Sequence, residues 1–424
     1  MLKKSFLLLL FSSSVLFSQK FDVEKSNDYY RKAVNSYLSK DHPRFLIEIK
    51  LAERYRPNHP RLLYNIAAGF ALNNEVDSAL VYLSRVVDMK LYFPAVNDSD
   101  FISIFENDGF KSLVSGFNQN TIPVEKSKKI AGFSEDDFVP ESVAFDRKHN
   151  TFYLSSVHKG KIVSIKNDSL KLFYEPEHGN AWSLLGMKIN NQKRELWVCA
   201  SAIKQTFDVD TTKLGKSKVM RFDLDSQNLI AEYSANDSLA HIFGDLVIAK
   251  NGTVVVSDSK SNNLYTVNEA DNLLDLLHTG NEIYSLQGLD FADERTLYFA
   301  DYTTGIYKLD ITSSKRTRIK TPDDLTTLGI DGLYFYNNQL LAIQNGVNPN
   351  RLIKMGLNDS GTEVTDWEII DSNHRYFDDP TLGVFVGSDF YYVANSNWNK
   401  FNREGILDRS LILSEPVILK VELE

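Results

Sequence analysis

The stretch that decides the fold is Gly332-Leu-Tyr-Phe-Tyr-Asn-Asn-Gln-Leu-Leu-Ala-Ile343, in which two apolar runs flank a pair of asparagines. Apolar runs on both sides of a short polar turn predict two antiparallel strands joined by a hairpin. The pattern recurs along the chain, which indicates a repeat architecture. The predicted inner strands of the six copies are Ser142–Phe145, Gly186–Ile189, Leu246–Ala249, Gly288–Phe291, Gly332–Phe335 and Gly383–Val386.

Each inner strand is followed by further β runs, so that one repeat predicts four strands, but the sixth copy lacks its outer strand because the sequence stops at Glu424. Lys128–Phe133 can supply that strand from the other end of the domain, which would close the ring and leave no open sheet edge. The connections are too short to hold crossover helices, which excludes a parallel α/β sheet. Residues 124–424 are therefore predicted to form a mainly β, six-bladed β-propeller.

The first 18 residues have the organisation of a signal peptide. Lys3 and Lys4 precede the apolar run Phe6–Leu10, and a serine-rich stretch ends at Ser18. The apolar run is too short to span a membrane as a helix. We therefore expect cleavage after Ser18, a secreted or periplasmic protein, and no integral membrane segment in the mature chain.

Residues 24–117 carry apolar residues at three- and four-residue spacing, which predicts helices. Two stretches also repeat with a period of about 34 residues, a spacing that resembles tetratricopeptide repeats. An array of two repeats is too short to bury its own apolar faces, and we therefore expect the helices to pack against the propeller. The alternative is that their groove binds a peptide. In the repeat, Phe45, Ile49, Ala52 and Pro57 correspond to Ala79, Leu83, Val86 and Leu91.

The charge of the chain argues against a nucleic-acid partner, and its cysteine content excludes an internal disulfide. The formal net charge is −9, which makes nucleic acid an unsuitable partner. Cys199 is the only cysteine, so the chain cannot form an internal disulfide and must be stabilised by packing.

Several predicted blade entries resemble those of the gluconolactonase, paraoxonase and strictosidine-synthase-like superfamily of six-bladed propellers. The resemblance extends over about Asp137 to Glu424, and it implies a fold more strongly than an activity. The motifs are Pro140-Glu-Ser-Val-Ala-Phe-Asp146, Phe243-Gly-Asp-Leu246, Leu286-Gln-Gly-Leu289 and Ile330-Asp-Gly-Leu333.

This resemblance implies a divalent cation, calcium in most such proteins, held by Glu141, Asp245, Gln287 and Asp331 at the central channel. The four residues precede their inner strands at the same offset, and carboxylate and amide oxygens are the ligands that calcium prefers. The implied reaction is hydrolysis of a lactone or related ester, with Asp245 or Asp331 accepting the proton.

The sequence departs from this pattern at the second blade, whose entry reads Leu184-Leu-Gly186, and it offers no histidine base. The candidate carboxylates could instead cap strand ends through hydrogen bonds to turn amides. The chain would then be a non-catalytic envelope protein that binds a partner through its helices and propeller face, so enzymatic activity stays open. Polar residues after the second strands, including Tyr302 and Asn345, are expected on the opposite face from the blade entries.

Overall fold

The computed structural model describes residues 22–135, 137–167, 169–280, 282–411 and 413–423. The predicted signal peptide, residues 1–18, lies outside these ranges. The chain folds into a mainly β, propeller-like body preceded by a group of α-helices.

Five α-helices occupy the N-terminal part of the chain, as predicted for residues 24–117. Asp22, Asp41 and Asn107 each cap a helix by accepting a hydrogen bond from the backbone N–H three residues ahead. The helices bury one shared apolar core, while the tetratricopeptide interpretation stays a prediction. None of the described helices is long and apolar enough to cross a membrane. The helices are α1 (Val23–Leu38), α2 (His42–Tyr55), α3 (Pro60–Leu72), α4 (Val76–Asp88) and α5 (Asp108–Gln119).

The described strands form six four-stranded antiparallel units in chain order, after a short strand β1 (Val124–Glu125). The last unit takes its outer strand from β2 (Lys128–Gly132). The other strands, unit by unit, are β3–β6 (Pro140–Asp146, Thr151–Ser156, Ile162–Lys166, Ser169–Tyr174), β7–β10 (Ser183–Asn190, Glu195–Ser201, Ser217–Asp223, Leu229–Ala235), β11–β14 (Phe243–Ile248, Val254–Asp258, Asn263–Asn268, Leu273–Thr279), β15–β18 (Leu286–Phe291, Thr296–Asp301, Gly305–Asp310, Lys315–Arg318), β19–β22 (Ile330–Tyr336, Gln339–Gln344, Arg351–Leu357, Val364–Ser372) and β23–β25 (Gly383–Val386, Asp389–Val393, Val417–Glu422).

Strand pairing joins these units into five sheets. The second and third units share one eight-stranded sheet because β10 pairs in parallel with β14, and β1 extends the fifth unit along β22. Strand β2 pairs antiparallel with β25, which confirms that a strand N-terminal to the first unit completes the last one.

The hairpin predicted for residues 332–343 forms. Tyr336 pairs with Gln339, and the two-residue loop between them places Asn337 and Asn338 at φ values of 49° and 59°. Both loop residues are left-handed, the conformation that a tight hairpin requires and that asparagine tolerates better than most residues.

The inner strands lie side by side around a common channel. Met187 N donates to Ser142 Oγ between the first two units, and Gly383 N donates to Tyr334 Oη between the last two. Leu382 N donates to Glu141 O at 3.2 Å, which brings the sixth unit next to the first. The starts of strands that are distant in sequence therefore meet at one axis.

The helices dock on the β body, as expected for an array too short to bury its own faces. Tyr92 N donates to Asn348 O at 2.7 Å, and Arg351 Nη1 donates to Met89 O at 2.8 Å. Val347 also packs against the helical core. The segment that follows strand β20 thus anchors the helices beside the channel mouth.

Candidate functional site

A cavity of about 580 Å³ opens at the channel, and we call it the channel cavity. Glu141, Gln287 and Asp331, three of the four predicted ligands, line it. They converge because each is the second residue of an inner strand, and those strands surround one axis. The apolar part of its wall includes Leu185, Ile203, Leu214 and Ile242.

Two long segments that follow second strands contribute to this cavity, residues 202–216 in the second unit and residues 394–416 in the sixth, and we call them the insertions. The insertion in the second unit supplies Ile203 and Lys204, and the insertion in the sixth supplies Trp398. The two insertions touch, because a side chain at Gly405 would collide with the backbone of Lys204. They form a wall of the cavity that the four-stranded units alone would not provide.

Asp245, predicted as both ligand and base, does not line the cavity. Its side chain is 2% exposed and lies against Gly186, where any Cβ would overlap the Asp245 carboxylate. Oδ1 accepts from Leu246 N at 2.9 Å and lies 3.7 Å from Lys188 Nζ. The glycine in the second entry thus leaves room for Asp245 in a recess outside the cavity lining, although the Asp245 charge still helps to raise the pKa of Glu141 and of Asp331.

Asp331 is held by an amide from its own hairpin. Asn345 Nδ2 donates to Asp331 Oδ2 at 2.8 Å, and Tyr302 Oη donates to Asn345 Oδ1 at 3.0 Å. Burial, reinforced by the nearby Asp379 carboxylate, raises the pKa of Asp331 to about 7 despite the Asn345 hydrogen bond. Asp331 can therefore exchange a proton near neutral pH.

Glu141 is held by the insertion of the sixth unit. Trp398 Nε1 donates to Glu141 Oε2 at 2.7 Å. Burial and the Asp331 carboxylate raise the pKa of Glu141 well above its usual range, although the Trp398 hydrogen bond opposes the shift. A buried pair of like charges favours a bound proton or a bound cation.

Asp379 completes the acidic wall, although it lies four residues before its inner strand and not at the position shared by Glu141, Gln287 and Asp331. It lines the same cavity, and burial followed by the neighbouring Asp378 raises its pKa to about 6. The cavity therefore contains three carboxyl groups whose pKa values all lie above the ordinary range.

Tyr302 and Asn345 correct the expectation that second-strand ends lie on the opposite face. Both line the channel cavity beside Asp331. In an antiparallel hairpin the end of the second strand lies next to the start of the first, as the pairing of Ile330 with Gln344 shows. The polar strand exits and the blade entries therefore share one face.

Histidine chemistry is absent from the described lining of the cavity. His241 lies nearby in sequence, but its Nδ1 is 2.6 Å from Asp258 Oδ2 and its Nε2 is 2.9 Å from Asp237 Oδ1. Both ring nitrogens are occupied, which makes His241 a structural residue.

The donor set of the cavity suits a hard cation. Glu141 and Asp331 each have one carboxylate oxygen without a hydrogen bond among the described residues, and Gln287 donates only through Nε2, to Ser285 Oγ at 3.1 Å. Oxygen ligands of this kind fit calcium or magnesium. In the described parts of the chain, however, no three His, Cys, Asp or Glu side chains are already grouped closely enough to hold a metal ion.

No protein-family model and no curated protein sequence matches this chain. Solved structures with a similar course of the chain include a gluconolactonase from Xanthomonas campestris, at 11% identity and a TM-score of 0.49, over 71% of this chain and 91% of that one. A PQQ-bound aldose sugar dehydrogenase from Streptomyces coelicolor has 11% identity and a TM-score of 0.47, over 70% and 99%. Virginiamycin B lyase from Staphylococcus aureus has the same four values. These proteins differ in activity, and similarities at this level imply none for this chain.

Proposed function

We propose that the six four-stranded units are the blades of one closed propeller and that the channel cavity is the active site of a hydrolase of lactones or related esters. The observation that carries the proposal is the cavity itself. Glu141, Asp331 and Asp379 face a space of about 580 Å³ with apolar walls, which is the size and character of a small-molecule site.

A divalent cation, which the donors allow to be calcium or magnesium and which the resemblance of the blade entries implies to be calcium, would be held by Glu141, Gln287 and Asp331, with Asp379 beside them. Such an ion supplies Lewis acidity toward a carbonyl group. Asp245 has no part in this set, because it lies in its own recess with Lys188. Two of the predicted ligands, Glu141 and Asp331, also experience each other's charge, which a cation would offset.

The chain's own residues supply the proton chemistry. Asp331 has a pKa of about 7 and can accept a proton from an attacking water molecule. Asn345 and Tyr302 orient the Asp331 carboxylate, and Trp398 orients that of Glu141. The insertions that carry Ile203 and Trp398 exclude water from the side of the cavity that they cover.

The decisive experiment is elemental analysis of the purified mature protein. We expect about one calcium per chain, loss of that calcium in Glu141→Gln, and lactone hydrolysis that a chelator abolishes. Glu404→Gln is the matched control, since Glu404 is exposed and lies outside the lining of the cavity. Equal metal content in wild type and Glu141→Gln would contradict the proposal.

Two observations favour a second function, a non-catalytic binding protein. In the described chain, the carboxylates do not lie close enough together to form a metal site. The helices also add a second surface beside the cavity. If the protein contains no metal and hydrolyses no lactone, the channel cavity would serve as a ligand pocket or partner site. The tetratricopeptide-like helices would then be the natural protein-binding element.

Export is part of the same proposal. The signal-peptide pattern at residues 1–18 supports a mature protein outside the cytoplasm. N-terminal sequencing of protein recovered from the envelope or medium should begin at Gln19, and an intact Met1 would contradict export.

A further inference from the structure

A second cavity, of about 650 Å³, lies where the helices meet the β body. We call it the interface cavity. Its helical side comes from the turn between α2 and α3 and from the segment after α4, and its other side comes from the strand exits that carry Tyr302 and Asn345. This cavity does not depend on the proposed function of the channel cavity.

The polar lining of the interface cavity is basic. Arg56, His59 and Arg61 contribute to it, and no carboxylate of the described chain does. Neither arginine forms an ion pair with any residue in the described ranges. Two positive charges therefore face a shared space without a direct counter-charge.

Arg56 uses only part of its hydrogen-bonding capacity. Nη2 donates to Thr303 O at 3.1 Å, whereas Nε is buried and has no partner among the described residues. The carboxylate with the strongest influence on Arg56 is Asp301, but its oxygens already accept from backbone N–H groups, among them Ser285 N and Thr304 N. Burial lowers the pKa of Arg56 to about 10, so it stays charged at neutral pH.

The start of α3 adds the positive end of a helix dipole, although Pro60 at its first position has no N–H to donate. His59 is the N-cap of α3 but makes no side-chain capping hydrogen bond, and its Nδ1 is buried without a partner in the described structure. Burial, with Arg56 and Arg61 nearby, lowers the pKa of His59 to about 3. An uncapped helix start beside two arginines is the arrangement that proteins use to bind anions.

We propose that the interface cavity binds the carboxylate or phosphate group of a small molecule whose apolar body packs against Tyr92 and Phe93. The arginine guanidinium group presents donors in a planar fork that matches both kinds of oxyanion. The volume lies within the range of small-molecule pockets, and Tyr92 and Phe93 line it with aromatic surface.

The two cavities share a wall. Tyr302 and Asn345 line both of them, and they are the residues that hold Asp331. A molecule bound in the interface cavity therefore lies against the side chains that orient the main carboxylate of the channel cavity.

Calorimetric titration of the full mature chain with phenyl phosphate and with benzoate tests the proposal, with benzyl alcohol as the neutral probe. We expect saturable binding of at least one anion, and the anion that binds distinguishes phosphate from carboxylate ligands. Binding should weaken about tenfold or more in Arg61→Ala and in Arg56→Gln, because each removes a charged donor. Arg61 is exposed, so its substitution leaves the fold intact.

Arg54→Ala is the matched control, because Arg54 is an exposed arginine of α2 outside the cavity. It should bind like wild type. Saturable binding should also persist in Glu141→Gln, which separates this site from the channel cavity. Absence of saturable binding of both anions, equal affinity for benzyl alcohol, or unchanged affinity in Arg61→Ala and Arg56→Gln would overturn the proposal.

Discussion

Asn345 Nδ2 donates a 2.8 Å hydrogen bond to Asp331 Oδ2 from the position directly after the second strand of the same hairpin. Asn345 is itself held by the hydroxyl of Tyr302, which comes from the neighbouring unit. The orientation of the Asp331 carboxylate is thus fixed by two adjacent units, whatever the channel cavity binds. Because the carboxylate is buried, its protonation should also affect the stability of the fold.

We expect the free energy of unfolding to fall as pH rises from about 4 to about 7 and to level off above that range. Burial raises the pKa of Asp331 to about 7, well above the value of about 4 in an unfolded chain, so the folded protein binds this proton more tightly. The stabilisation that this proton provides is complete below about pH 4 and is lost as pH rises through the folded pKa of about 7. Each unit of difference between the folded and the unfolded pKa corresponds to about 1.4 kcal/mol of stability. Urea unfolding between pH 5 and pH 8 measures it.

Asp331→Asn should flatten this decline, while Asp324→Asn, at an exposed position outside both cavities, should retain it. Asp379 contributes in the same direction, with a pKa of about 6, so some dependence remains in the variant. Equal slopes for wild type and Asp331→Asn would show that Asp331 is ionised in the fold throughout this range.

Asn345→Ala should raise the pKa of Asp331 further. Its hydrogen bond stabilises the charged carboxylate, and a bond to a charged group contributes about 1.5–3 kcal/mol. The pH midpoint of the stability decline should therefore move upward. Tyr302→Phe, which removes only the donor to Asn345, should give a smaller upward shift, and a downward shift in either variant would contradict this arrangement.

Gly186→Ala should destabilise the protein by about 1–3 kcal/mol, the usual cost of overpacking. A Cβ at this position would overlap the Asp245 carboxylate and approach Gly244 O at 2.8 Å. Gly244→Ala is the matched control on the adjacent inner strand, since its Cβ would meet only Gln287 Oε1, at 3.9 Å. Chemical unfolding that shows equal losses for the two variants would rule out the close approach.

The features that could be predicted from the sequence are those determined by neighbouring residues along the chain. Turn residues such as Asn337 and Asn338 and the repeated inner strands determined the units, and the offset of Glu141, Gln287 and Asp331 placed them in one cavity. The recess of Asp245 could not be predicted, because it depends on a glycine in a neighbouring strand.

Two other features, the position of Asn345 and the interface cavity, depend on contacts between residues that are not adjacent in the sequence. Asn345 lies on the face of the blade entries, contrary to expectation, because the end of a second strand lies beside the start of the first strand in an antiparallel hairpin. The interface cavity depends on how α3 docks against Tyr302, and residues far apart in the sequence determine that docking. The antiparallel register of the hairpin is enough to predict that Asn345 lies beside Asp331. No local sequence pattern predicts the interface cavity.

Arg351 should be the main anchor of the helices. Its side chain is fully buried, its Nε donates to Gln344 Oε1 at 2.7 Å, and its Nη1 donates to the carbonyl of Met89, which caps the C-terminal end of α4. Burial lowers the pKa of Arg351 to about 9, so it remains charged at neutral pH and complements the negative end of the helix dipole.

Arg351→Met keeps much of the side-chain length but leaves the Met89 carbonyl without this donor, so we expect a loss of about 1.5–3 kcal/mol. The variant also removes the contacts of Arg351 with Gln344 and Trp367 inside the fifth unit, but the lost hydrogen bond to Met89 is the one that reaches the helices. Hydrogen exchange measured by mass spectrometry should therefore accelerate in α4 more than in the strands of the fifth unit. Arg403→Met, at an exposed position, is the control. Exchange in α4 that matches the wild-type rate would mean that Tyr92 and Val347 hold the helices without Arg351.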